Sequence, residues 1–136
     1  MPFNTVYESD FYKIEVNPEG NLLYSEWLRH VTEEELITGG TKLYEVLRDT
    51  KIERALANGQ ALGSLTPNAK EWMSVAFYEL LSQTNLKRLA RIMPASVFHQ
   101  LALESVITRA EALGKTRFQV KSFSNKDEGM KWLLES

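Results

Sequence analysis

From Ile52 onward, short apolar runs alternate with segments that carry apolar residues at helical spacing, and this alternation is the strongest constraint on the fold. The run from Ile52 to Asn58 holds Ala55, Leu56 and Ala57 together, apolar on both faces as a buried central strand is. Lys87 to Met93 is a second short strand, carrying Leu89, Ala90 and Ile92 and closed by Pro94. Between them, Thr66-Pro67 has the chemistry of an N-cap followed by a first helical residue. Trp72, Met73, Ala76, Phe77, Leu80 and Leu81 then form an apolar stripe, the usual mark of a core-facing helix. After Pro94, the residues Val97, Phe98, Leu101, Ala102, Ser105 and Val106 repeat at helical spacing, and Gly114 is a helix stop. Thr116 to Phe123 alternates polar and apolar residues like an edge strand, and Ser124 with Asp127 caps a last helix through Met130, Leu133 and Leu134.

The N-terminal part supplies the start of the sheet. Val6 to Val16 reads as one strand, ended by the turn Asn17-Pro18-Glu19-Gly20-Asn21, in which Pro presets φ and Gly accepts a positive one. Leu22 to Arg29 returns as the second arm of a hairpin. Thr32 with Glu35 is a capping box, and Glu33, Glu34 and Glu35 suit the positive end of a helix dipole. Leu36, Ile37, Leu43, Tyr44 and Leu47 share one helical face, which Gly39 and Gly40 interrupt. Two glycines inside a helix require either a close approach to the sheet or a kink. The order β-β-α-β-α-β-α-β-α predicts an α/β fold over residues 1–136 as a single domain. Its mostly parallel five-stranded sheet has an antiparallel N-terminal strand and is served by four helices.

Composition narrows the function. With no cysteine, the chain has no disulfide framework, thiolate metal site or cysteine nucleophile. The net charge is −2 and no basic block stands out, so a nucleic-acid footprint is not expected. No apolar run approaches the ~20 residues that span a bilayer, and Met1-Pro2-Phe3-Asn4-Thr5 lacks the pattern of a signal peptide. The cytoplasm is the expected location. The chain has no Gly-x-Ser-x-Gly elbow, no Gly-x-Gly-x-x-Gly and no phosphate loop, since Gly59 to Gly63 lacks the Lys-Ser/Thr pair. His30 and His99 stand far apart without a carboxylate at ligand spacing, so neither a metal site nor any other cofactor is expected.

Three stretches carry a resemblance: Tyr12-Lys13-Ile14-Glu15 with Leu22 to Trp27, Thr66 to Trp72, and Leu86 to Pro94 with Val97-Phe98. From about Tyr7 to its end the chain resembles the SpoIIAA-like (STAS) domains of anti-sigma-factor antagonists, and more narrowly the bacterial STAS/SEC14-like proteins. The resemblance implies a SpoIIAA-like fold and a regulatory protein partner. In the better-known relatives that partner is often a kinase-type anti-sigma factor, and a Ser or Thr at the start of the helix after the third strand is phosphorylated. Two features depart from that pattern. Asn58 stands where an acidic residue often ends the third strand, and the Asp-Ser-Ser/Gly signature is absent from Asn58 to Thr66.

Ligands of open α/β sheets bind outside the carboxyl ends of the parallel strands. That rim comprises His30, Asn58, Gln60 and Ser96 as candidate ligand contacts. Ser64 and Thr66 are candidate phosphoacceptors or partner contacts, weighed against plain loop and N-cap roles. Lys87, Arg88 and Arg91 read as a small basic patch or as exposed strand ends. A non-catalytic protein-interaction module is the leading expectation. A small-molecule or lipid carrier with a cavity lined by Met73, Phe77 and Phe98 is the alternative. An enzyme using His30 at the rim is the third. A homodimer through the first strand, or through exposed aromatic positions, would satisfy an unpaired sheet edge.

Overall fold

A computed structural model describes residues 2–114 and 116–135; Met1, Lys115 and Ser136 lie outside the described residues. The strands are β1 (Asn4–Glu8), β2 (Tyr12–Asn17), β3 (Leu22–Trp27), β4 (Arg54–Asn58), β5 (Arg88–Ile92) and β6 (Gln119–Phe123). The helices are α1 (Glu33–Thr50), α2 (Pro67–Trp72), α3 (Tyr78–Ser82), α4 (Val97–Ala112) and α5 (Lys126–Leu133). A π-helical turn, Met73–Phe77, joins α2 to α3, so that residues 67–82 form one uninterrupted helical rod. The α/β class and the count of four helical rods agree with the sequence.

The sheet has six strands rather than five. The segment read as one strand from Val6 to Val16 is broken at Ser9, whose Oγ accepts hydrogen bonds from the Phe11 and Tyr12 amides at 3.3 and 3.1 Å. Strand order is β1-β2-β3-β4-β5-β6, antiparallel across the first two pairs and parallel thereafter. Because successive parallel strands always step the same way, right-handed crossovers must lay α1, the 67–82 rod and α4 on one face. The core agrees: Leu36, Leu43, Met73, Phe77, Leu103 and Val106 pack with Tyr12, Ile14, Leu23 and Trp27. Only α5 covers the other face, through Leu133 on Leu22, Leu56, Ala90 and Ile92.

Local chemistry fixes each junction. At the β2–β3 turn the left-handed residue is Asn21 (φ 56°), not Gly20. The Asn21 side chain accepts from the Glu53 amide at 2.7 Å and donates to the Glu53 carboxylate at 3.0 Å, so the turn also positions the start of β4. The Thr32–Glu35 capping box forms as predicted, and Thr66 caps α2 with Pro67 behind it. The N-cap of α5 is Asn125, one residue beyond the predicted Ser124; its Oδ1 accepts from the Glu128 amide at 2.9 Å.

Close approach, not a kink, accounts for the glycine pair in α1. A Cβ on Gly39 would sit 2.7 Å from the Trp27 ring, itself stacked on Tyr12 with centroids 3.9 Å apart. A Cβ on Gly40 would sit 2.7 Å from Trp72. The π turn serves the same packing. Ala69, Met73, Phe77 and Leu81 are buried at a strict spacing of four, and a 3.6-residue helix would rotate that row off the core.

The predicted core face of α4 is corrected. Leu103, Val106, Ile107 and Ala110 face the sheet, whereas Val97, Phe98 and Leu101 are exposed and Ser105 lies outside. At 3.6 residues per turn these two apolar sets lie on nearly opposite sides of the helix. The chain therefore offered two helical stripes, and the crossover geometry selected the second.

Two predictions follow from this packing. Alanine is favoured over glycine inside a helix by about 1 kcal/mol, yet Gly39→Ala should lower stability by about 1–3 kcal/mol through the Trp27 clash. Urea unfolding measures it, and a stabilised variant would contradict the close approach. The second concerns the clamp before α1. Arg29 donates to both Glu35 carboxylate oxygens at 3.0 and 2.8 Å, and to Asp10 at 3.0 Å. The Arg29 guanidinium, helped by the Thr32 amide, lowers the Glu35 carboxyl from its ordinary 4.5 to about 2. A depressed folded pKa stabilises above the unfolded value, and the benefit disappears as pH falls through the folded one. The clamp should hold from neutrality down past pH 4.5 and be lost only as pH falls through about 2. Carboxyl-carbon NMR titration should show Glu35 returning toward 4.5 in Arg29→Ala; an unchanged midpoint would show that the clamp does not form.

Candidate functional site

The parallel strands end at Trp27, Asn58, Ile92 and Phe123, and the loops beyond them build three distinct features. The first is a groove of about 350 Å³ between the start of α1 and the start of α2. It brings together three residues singled out in the sequence: His30, Ser64 and Thr66. His30 is held from below. Its Nδ1 lies 3.3 Å from the Leu62 carbonyl, an acceptor, so Nδ1 carries the proton and Nε2 is left to the groove. Gly63, at φ +79°, makes room for the ring; a Cβ there would lie 2.7 Å from Nδ1. Thr66 spends its hydroxyl as acceptor for the Ala69 amide at 3.1 Å, while Ser64 is exposed on the loop.

Asn58, Gln60 and Ser96 are not in this groove. Asn58 is buried, donates to the Tyr24 hydroxyl at 3.0 Å and accepts from the Gln60 amide at 3.0 Å. Both interactions hold the end of β4 in place. Burial raises the Tyr24 phenol to about 12, against the opposing pull of the Asn58 bond, so Tyr24 stays protonated and donates to Glu26 at 3.0 Å. Gln60 and Ser96 are exposed, and Ser96 precedes α4 without a side-chain capping bond.

The second feature is apolar. Val97, Phe98 and Leu101 on the first turns of α4 are 66, 84 and 62% exposed. Single exposed apolar residues are ordinary, but three within five positions on one helical end form a patch. Phe98 therefore lines no cavity, which corrects its expected place beside Met73 and Phe77.

The third feature lies inside. Met73 and Phe77 do line a cavity, but it measures about 50 Å³. An engineered cavity of roughly 150 Å³ is what a single benzene ring occupies; a lipid chain does not fit here. Its walls include Trp27, Leu43, Leu89 and, unexpectedly, Arg91. Arg91 is only 6% exposed and belongs to no surface basic patch. Its Nη1 donates to the Leu103 carbonyl at 2.9 Å and to the Tyr78 hydroxyl at 3.4 Å. Its Nη2 donates to Glu104 at 3.0 Å and to Ser122 at 3.2 Å. The Nε–H, the fifth donor of the guanidinium, has no partner. Leaving such a donor buried and unsatisfied costs roughly 1–3 kcal/mol.

The other members of the supposed patch are also committed. Lys87 pairs with Glu53 at 2.9 Å, and Arg88 donates to the Trp132 carbonyl at 3.0 Å while lying over the Trp132 ring. Arg54 donates to the Leu133 carbonyl at 3.1 Å. Arg54 and Arg88 thus satisfy carbonyls at the end of α5, where helix polarity favours cations. The signal for Arg91 was present in the alternation of β5: Leu89 and Arg91 share the helix-covered face, so an arginine there points inward.

Among the described residues no group of three or more potential ligands gathers for a metal ion, and no helix is long and apolar enough to cross a membrane. No family model and no curated protein matches the chain. Among solved structures, an uncharacterized DUF3478-family protein from Shewanella loihica PV-4 aligns with a TM-score of 0.54 at 18% identity. The alignment covers 97% of this chain and 92% of that one. At that identity the likeness speaks for architecture alone, and the architecture is the one described for that protein: this chain has a SpoIIAA-like fold.

Proposed function

We propose that the chain is a non-catalytic docking module of the cytoplasm, regulatory in role, that engages a protein partner at the carboxyl edge of its sheet. The observation that carries this reading is the apolar end of α4. Val97, Phe98 and Leu101 face solvent while the opposite side of the same helix supplies the core. An aromatic surrounded by aliphatic side chains is the usual anchor of a protein interface. The groove with His30, Ser64 and Thr66 lies at the same edge and supplies polar contacts beside that anchor. Ser64 is the better phosphoacceptor of the two hydroxyls, because Thr66 is engaged as the cap of α2. A phosphate on Ser64 would add about −1.5 to −2 charge next to Glu33, which lines the same groove, and would change what can dock there.

The test is to recover the tagged chain from its source cells and compare it with Phe98→Asp, Ser64→Asp and, as a control, Leu134→Asp. Leu134 is also exposed but lies at the end of α5. A stoichiometric protein should accompany the unaltered chain and the control. Phe98→Asp should weaken its binding by on the order of thirtyfold, as losing an anchor of about 2 kcal/mol does, with thermal stability unchanged. A partner retained by Phe98→Asp, or no stoichiometric protein at all, would remove this reading.

A further inference from the structure

The interior cavity carries an inference independent of the docking surface. Arg91 is one of its walls, is more than nine-tenths buried, and keeps one donor, the Nε–H, without a partner. Tyr78, another wall, has its hydroxyl bonded only as an acceptor from Arg91, so its own proton is also available. Two donors thus stand at one end of a cavity whose remaining walls are mainly apolar, among them Trp27, Leu43, Met73 and Leu89.

We propose that this cavity is a binding site for a small, uncharged carbonyl compound, a ketone or amide, whose oxygen accepts from Arg91 Nε–H and the Tyr78 hydroxyl. The absence of net charge follows from the surroundings. The Arg91 guanidinium is already paired with Glu104 at 3.0 Å, and Ser122 bridges the two, donating to Glu104 at 2.6 Å. A second carboxylate would bring an uncompensated negative charge into an apolar interior, which is unfavourable. A neutral carbonyl supplies the missing acceptor without that charge. The size follows from the volume. A water needs about 10–15 Å³ of such space, so a cavity of about 50 Å³ takes a molecule of roughly four or five non-hydrogen atoms. The π turn adds to the case: its end residues Met73 and Phe77 both line the cavity, and π turns within helices concentrate at functional sites.

The Arg91 Nε–H gives its own signal in nitrogen–proton correlation spectra, so the contact can be read directly. The chain is titrated with 2-butanone, with sodium butyrate at constant ionic strength, and with Tyr78→Phe as the variant. Tyr78→Phe removes one oxygen and keeps the ring that stacks near Phe118. The Arg91 Nε–H signal should move saturably with 2-butanone, and the variant should bind it roughly tenfold more weakly. Butyrate should leave the signal in place. Three results would overturn the proposal: no saturable shift with 2-butanone, an Nε–H contacting only a trapped water throughout, or butyrate binding as tightly as the ketone. Should Tyr78→Phe fail to fold, Leu103→Phe, which fills the cavity, must abolish the shift instead.

Discussion

The fold depends on one topological constraint. All parallel connections advance in the same direction across the sheet, so right-handed crossovers crowd three helical rods onto a single face. That face must accommodate α1 over the stacked Tyr12–Trp27 pair, which is possible because Gly39 has no side chain. It must also accommodate the 67–82 rod against α1, where Gly40 admits the Trp72 ring. The π turn keeps a four-residue apolar row in register with the sheet beneath it. The opposite face is left to α5 alone, which lies flat because Gly129 sits against Ile92 and Leu56.

The same constraint shapes where binding can occur. An open sheet whose strand order reverses has a crevice at the reversal, and ligands collect there. This sheet never reverses, so its carboxyl edge has no such crevice. What it has instead is a shallow groove between two helix starts, a projecting apolar end on α4, and an interior cavity under the crowded face. These are features of recognition. No hydroxyl stands against a base at the rim: the Thr66 hydroxyl caps a helix, and His30 is fixed by a backbone carbonyl.

Much of the fold was legible because its signals are local. The capping box at Thr32, the Thr66-Pro67 helix start and the strand-ending Pro94 each act within a few residues. The β1–β2 break was missed because Ser9 acts through its side chain on two following amides, a turn without Gly or Pro to announce it. The core face of α4 was misread because both of its stripes have helical spacing, and only the position of the helix on the sheet separates them. Of the candidate site residues, His30, Ser64 and Thr66 converge because they flank loops at one edge. Asn58 proved to be a strut, held between Tyr24 and the Gln60 amide. Arg91 was the reverse case: its chemistry depends on β5 being central, which charge alone does not reveal.

The central claim is that α4 turns Leu103, Val106 and Ile107 to the core and leaves Phe98 free for a partner. A crystal structure of the purified chain tests it most directly. The account predicts the Arg91 guanidinium buried beside the Leu103 carbonyl, with the Phe98 ring touching nothing in its own chain. An α4 rotated by half a turn, with Phe98 packed on the sheet and Arg91 swung out to solvent, would contradict it.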